Sequence, residues 1–272
     1  MSEENVILNS SKPITLNDLK RDLKAIGINQ GDVVLVHSSL SALGWVCGGA
    51  QTVIMALEET IGETGTIVMP SHSGDWSDPT SWCNPPVPKE WIPIIKETMP
   101  AYDPNLTKTR GMGTVAELFR LQPGVYRSKH PQLSFSAKGP LSHSILNDET
   151  LFPQLGMNSP LGKLYQLSAK VLLLGVGYDS NTCFHLAETL IESTPKERNG
   201  TAMLVNNQRQ WVEFEEYAYE SDDFPDCGLA FEQSYTVSKG LIGMGSSRLF
   251  NIKEAVDFAK SWLSKNRNRT VK

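Results

Sequence analysis

Apolar residues at positions 16, 19, 23 and 26 follow a helical spacing, with Thr15 placed to cap the start and Gly27 to close the end. The short apolar run from Asp32 to His37 reads as a strand, and Gly48-Gly49 leads into a second helical spacing from Ala50 to Thr60. Thr64 to Pro70 supplies the next strand, so the order strand, helix, strand predicts a parallel crossover. Residues 71–109 break the pattern with prolines at 79, 85, 86, 88, 93, 100 and 104 among Trp76, Trp82 and Trp91. A long ordered insertion of this kind is expected to cover a site. Helix returns at 111–120, and 123–155 reads as loop with short helical pieces. Val171 to Val176 has the unbroken apolar character of a strand covered on both faces. Beyond it, 201–205 and 209–214 alternate around Asn206-Asn207 as a hairpin would, and 235–242 adds a further strand. Apolar positions 252, 255, 256, 258, 259, 262 and 263 predict a closing helix over 252–266.

These elements predict an α/β protein with a central, mostly parallel sheet flanked by helices and a C-terminal β-hairpin region. No repeat, low-complexity tract or linker divides the chain, so residues 1–272 are expected to form one domain, with 71–109 and 215–232 as loops on the substrate side.

Composition narrows the function. Forty per cent apolar residues, 20% charged residues and a net charge of −5 give no electrostatic reason to bind nucleic acid and favour a cationic partner. The N-terminal Met-Ser-Glu-Glu-Asn lacks the features of a signal peptide, and no run approaches the roughly 18 apolar residues of a membrane span. A cytoplasmic location without membrane attachment is expected. Cys47, Cys83, Cys183 and Cys227 are widely spaced and form no Cys-x-x-Cys pair, so free thiols are expected rather than a zinc knuckle or a disulfide framework.

Chemistry concentrates where the strand ending near Val176 enters a helix. Gly175 and Gly177 allow a sharp turn, and Asp179, Ser180, Asn181 and Thr182 are all competent to cap the following helix. A helix starting near Asn181 places His185 and Glu188 on one face, near the positive end of the dipole. Three readings are open from the residues alone. His185 could be a base oriented by Glu188, or the two could exchange roles; Asp179, His185 and Glu188 could hold a metal in a hydrolase; or Cys183 could be a nucleophile. Spacing weakens the last two. His-x-x-Glu supplies only two ligands on one helix, and Cys183 projects away from His185.

Two other segments could contact a ligand through their backbone. His37-Ser-Ser-Leu-Ser-Ala-Leu-Gly44 follows a strand, and Gly48-Gly49 precedes a helix, yet neither nucleotide-binding glycine fingerprint is present. Thr109-Arg-Gly-Met-Gly-Thr114 places Arg110 beside two glycines at a helix start. The basic loop Arg127-Ser-Lys-His130 could also meet a phosphate. Carboxylates cluster at Asp75 and Asp78, and again at Glu220, Asp222, Asp223 and Asp226, where they could attract a polyamine.

Together these motifs resemble the aminoglycoside N(3)-acetyltransferase family over nearly the whole chain. The resemblance rests on Val36-His-Ser-Ser-Leu40 with Gly44 and Gly48-Gly49, Met69-Pro70, Thr109-Arg-Gly-Met-Gly113, Arg127-Ser-x-His-Pro131, Ser159-Pro-x-Gly-Lys163 and Gly175-Val-Gly-Tyr-Asp-Ser-Asn-Thr-x-x-His185-x-x-Glu188. It implies a family-specific fold distinct from the GNAT acetyltransferases, transfer of acetyl from acetyl-CoA to an amine, no metal, and a homodimer. It further implies that His37, Ser38, Ser39, Leu43 and Gly44, with Arg110, Gly111, Met112, Gly113 and Thr114, hold coenzyme A. His185 and Glu188 would lie at the acyl-transfer centre, with Asp179 in reserve. Asp75, Asp222 and Asp223 are the candidates for orienting a cationic, aminoglycoside-like amine. A CoA-binding protein of the same fold that acts on another amine, or turns over inefficiently, is the alternative. An amine must lose a proton before attacking a thioester, so a base is required, and the thiolate leaves without strong acid assistance. Direct transfer in a ternary complex, without an acyl-enzyme, is therefore expected.

Overall fold

The computed structural model describes residues 2–147 and 150–267. Helices α1 (Glu3–Asn9) and α2 (Leu16–Ile26) precede strand β1 (Val33–Ser38), helix α3 (Gly49–Ile61) and strand β2 (Thr66–Pro70). Next come α4 (Trp91–Thr98), α5 (Gly113–Arg120), β3 (Tyr126–Arg127), β4 (Phe135–Lys138), α6 (Ser142–Leu146), α7 (Pro160–Gln166), β5 (Lys170–Leu174) and α8 (Cys183–Thr189). The chain continues through β6 (Lys196–Val205), β7 (Gln208–Tyr217), α9 (Phe224–Ser234), β8 (Ser238–Ile242), β9 (Gly245–Asn251) and α10 (Ile252–Asn266).

One seven-stranded sheet runs β3-β4-β2-β1-β5-β9-β8. The central strands β2, β1 and β5 are parallel, as the crossover pattern predicts. Outside them the sheet turns antiparallel, through β4 and β3 on one side and β9 and β8 on the other. The sheet is thus mixed, parallel only where it is most deeply covered. Alternation along β1 divides the core. Val34 and Val36 face the layer of Leu19, Leu23, Ile54, Leu57 and Phe119, while Leu35 faces Leu161, Phe184, Leu186 and Val256. His37, two residues beyond Leu35, falls on the second face, the one α8 covers.

Several boundaries follow local chemistry. Thr15 and Asp18 form a reciprocal capping box at α2, and Gly27 closes that helix with a φ of 109°. Asn206 and Asn207 carry φ values of 51° and 61°, the left-handed pair that a tight hairpin between β6 and β7 demands. The insertion lies against this hairpin. The Tyr102 N–H donates to the Ala202 carbonyl at 2.9 Å, Arg209 Nε donates to the Met99 carbonyl at 2.9 Å, and Lys96 sits over the Trp211 ring.

Close packing reaches the strand-to-helix junction through Tyr178. Its ring stacks at 5.9 Å on Phe184 and lies directly over Gly228 of α9, where an added Cβ would come within 2.0 Å of the ring. Gly228→Ala must therefore displace Tyr178, and we expect a loss of about 1–3 kcal/mol or more, read as a lowered melting temperature. An unchanged melting temperature would show that the ring moves freely.

Candidate active site

The turn Tyr178–Ser180 carries the chain from β5 into α8. The helix starts later than its sequence suggests, and Thr182 precedes it in helical geometry without a side-chain cap bond. None of the expected caps is used there, and α8 spans only seven residues. The electrostatics around His185 are instead set by specific side chains.

His185 Nδ1 lies 2.5 Å from Glu188 Oε2. Glu188 is wholly buried, and its other oxygen accepts from the Glu220 N–H at 3.1 Å and from the Arg267 guanidinium. Both oxygens of the carboxylate are thus engaged. Tyr219 and Phe224 flank the imidazole, with ring centroids 5.2 and 4.8 Å away. With Nδ1 engaged, Nε2 is the nitrogen left for a ligand. The His185 side chain is 19% exposed and opens into a cavity of about 280 Å³ that Asp179, Asn181, Thr182, His37 and Ser38 also line.

A larger cleft of about 630 Å³ adjoins this cavity and shares Ser38, Gly111, Met112, Val176 and Ser180 with it. Ser39, Gly44, Gly113 and Thr114 line the cleft, joined by Leu40, Ser41, Trp45, Val46 and Gly49. At Gly49 and Gly111 an added Cβ would meet nothing within 4 Å, so the backbone there faces open space. Such bare backbone can approach an extended ligand closely. Helix α1 contributes Glu3 and Val6 to the wall, pinned by a 3.2 Å bond from Trp45 Nε1 to Glu3.

Other candidates fall elsewhere. Leu43 is fully buried beneath the cleft and belongs to the core. His37 lines the smaller cavity with His185 rather than the cleft. Arg110 lies outside both, bonded to Asp75 and the Asn84 carbonyl in a half-exposed pair that borders a separate surface pocket with Gly111 to Thr114. Asp223 is bound to Arg267, and Asp222 is exposed away from the cavity. In the basic loop Lys129 is exposed, while Arg127 and His130 are bonded internally. Arg127 bonds to the Ser71 carbonyl, Ser73 and Ser134, while His130 accepts two backbone N–H groups at Nδ1 and meets the Leu151 carbonyl at Nε2. Cys183 is buried, and burial raises its thiol above the usual range, which removes it as a nucleophile. Among the described residues no group of three or more His, Cys, Asp or Glu side chains is placed to hold a metal ion. None of their helices is long and apolar enough to cross a membrane.

His72, Tyr219, Phe224 and Arg267 reach this region without any signal in their local sequence. His37 is buried and His72 partly buried, each with a buried, unpartnered Nε2, and burial pushes each imidazole down to about 3, with neighbouring histidines adding to the shift.

An imidazole held by a buried carboxylate, in a cavity that shares a wall with a larger glycine-bearing cleft, fits an enzyme that brings two substrates together. Residues 35–264 match the family described as Aminoglycoside 3-N-acetyltransferase, and the chain belongs to that family. It is 47% identical over 268 residues, 98% of each chain, to the SPbeta prophage-derived aminoglycoside N(3')-acetyltransferase-like protein YokD of Bacillus subtilis (strain 168). The crystal structure of YokD superposes with a TM-score of 0.96 at 46% identity, covering 98% of this chain and 100% of that one. AAC-IIIb in binary complex with CoASH superposes at 0.82 and 30% identity, covering 93% and 97%. AAC-VIa bound to sisomicin superposes at 0.83 and 27% identity, covering 93% and 98%.

Proposed function

We propose that this protein transfers an acetyl group from acetyl-CoA to an amine of an aminoglycoside-like substrate, with His185 as general base. The observation that carries the reading is that His185, held by Glu188, opens into a cavity that shares Ser38, Gly111, Met112, Val176 and Ser180 with the cleft. Ser38, Ser39, Gly44 and Gly111 to Thr114 would hold CoA along the cleft, and the CoASH complex of AAC-IIIb supports CoA as the ligand. CoA supplies the activated acyl group; the protein supplies position and proton transfer.

Glu188 accepts from Nδ1–H and keeps Nε2 unprotonated toward the cavity, where it can take a proton from the attacking amine. Asp179 adds a carboxylate to the cavity wall that can hold an ammonium group near the base. Ser38 borders both spaces, so its hydroxyl is placed to donate toward charge developing on the acyl oxygen, with the N–H groups of Gly113 and Thr114 as further candidates. The amine attacks the thioester directly and the CoA thiolate leaves; among the described residues no cysteine lines the cavity or the cleft to accept the acyl group.

Release of free thiol from acetyl-CoA over a panel of aminoglycosides and simpler amines tests the reading. Amine-dependent release with stoichiometric N-acetyl product is expected. CoA binding without release on any amine would instead mark a CoA-binding protein of the same fold.

A further inference from the structure

The C-terminal end of α10 reaches the dyad from behind. Arg267 donates to Glu188 Oε1 and to both oxygens of Asp223, with Nε 2.6 Å from Oδ2, and its Nη2 lies 2.7 Å from the Glu220 carbonyl. The side chain is only 9% exposed, and its guanidinium stands over the Phe224 ring at 5.8 Å. The Glu220 N–H in turn donates to Glu188. The carboxylate that holds His185 and the segment that supplies Tyr219 and Phe224 to its sides are thus tied to one cation. Burial alone would lower the Arg267 pKa, but its bonds to Asp223 and Glu188 outweigh that and hold it above the usual arginine range. Of the carboxylates expected to recruit substrate, Asp223 serves this clamp instead.

We propose that Arg267 is a positioning residue of the acyl-transfer site, fixing Glu188 and the 219–224 segment so that His185 presents Nε2 to the cavity. The inference rests on His185 as the base. A point charge on a flexible stem cannot reproduce the three-way fork, so lysine should restore only part of the function. A clamp that merely fastened α10 would affect stability alone. A cation bonded to the dyad carboxylate also shapes how strongly that carboxylate holds a proton on the imidazole.

The test is kcat/KM against pH for the wild type, Arg267→Met, Arg267→Lys, Asp223→Asn and His185→Ala. The other titratable or charged groups facing the pair are His37 from β1, His72 from beyond the end of β2, Asp179 from the turn, Glu216 from β7, and Tyr219 and Glu220 from the segment after it. All of these are common to every variant. Arg267→Met should lose roughly 10–100-fold in kcat/KM, the range seen when a supporting partner of a reactive group is removed. Its acid limb should move to higher pH, because the Glu188 charge is no longer offset. Asp223→Asn removes an anion and leaves the arginine, so its limb should move to lower pH. Opposite shifts cannot come from a general loss of stability. Arg267→Lys should lie between Arg267→Met and the wild type. Limbs that coincide with wild type in Arg267→Met and Asp223→Asn, with His185→Ala inactive, would overturn the positioning role while sparing the base. If Arg267→Met fails to fold, the Asp223→Asn limb decides, and an unmoved limb there overturns the proposal. Wild-type turnover by His185→Ala would instead bring down the reading of the base.

Discussion

His185→Ala is expected to lower kcat by roughly 100-fold or more while leaving the CoA titration unchanged, because it deletes the base but no wall of the cleft. An amine substrate is mostly protonated near neutral pH, so the group that removes its proton controls the rate of attack. No second imidazole can take over. His37 borders the same cavity, but its Nε2 is sealed and burial holds it neutral with its affinity for protons greatly weakened. The substitution should also be tolerated by the fold. His185 is partly exposed, and Glu188 keeps its bonds to Arg267 and to the Glu220 N–H when the imidazole is gone. Steady-state turnover beside calorimetric CoA binding separates the two effects. Near-wild-type turnover would assign the proton to another group.

The second large effect is a loss of stability in mild acid. His37 and His72 are pushed down to about 3 and His130 to about 4, in each case chiefly by burial. Each is below the unfolded value of about 6.5, so below that pH the unfolded chain binds protons that the folded one refuses. Their contribution is fully present above about pH 6.5 and is lost as pH falls toward the folded values. The slope is about 1.4 kcal/mol per pH unit for each histidine once the unfolded form is protonated. His130 has a structural reason to stay neutral, since a proton on Nδ1 would face the N–H groups of Gln132 and Leu133. Glu216, raised mainly by burial, acts in the opposite sense but is one group against three. Melting temperatures at pH 7.5 and 5.5 should therefore differ by many degrees, and replacing His130 with a neutral isostere should reduce the difference. Equal melting temperatures would mean that the three imidazoles are protonated within the fold.

The alternating and helical patterns located most of the elements that build the sheet centre. β1, β2, β5, the hairpin and α10 all carry strong periodicity or an unbroken apolar run. β4 and β9 escaped because serines interrupt them, in Phe135-Ser-Ala-Lys138 and Gly245-Ser-Ser-Arg-Leu-Phe-Asn251, and pairing with β2 and β5 supplies what local propensity lacks. The antiparallel flanks were hidden for the same reason. In the site, His185 and Glu188 were legible because they are one helical turn apart. The glycine-bearing loops were legible because bare backbone leaves a mark in sequence. Charged residues were harder to read: Arg110 and Asp75 pair with each other at a half-exposed position and Asp223 pairs with Arg267, contacts between residues far apart in sequence. Arg267 lies 79 residues from Glu188, a separation at which spacing carries no information.

If the acyl group sits at the wall shared by cavity and cleft, a crystal structure with bound CoA should show pantetheine running along the cleft past Ser39, Gly44 and Gly113, with its sulfur between Ser38 and Met112 and facing His185 Nε2. A sulfur lying outside the shared wall, with His185 turned toward no part of the ligand, would contradict that placement.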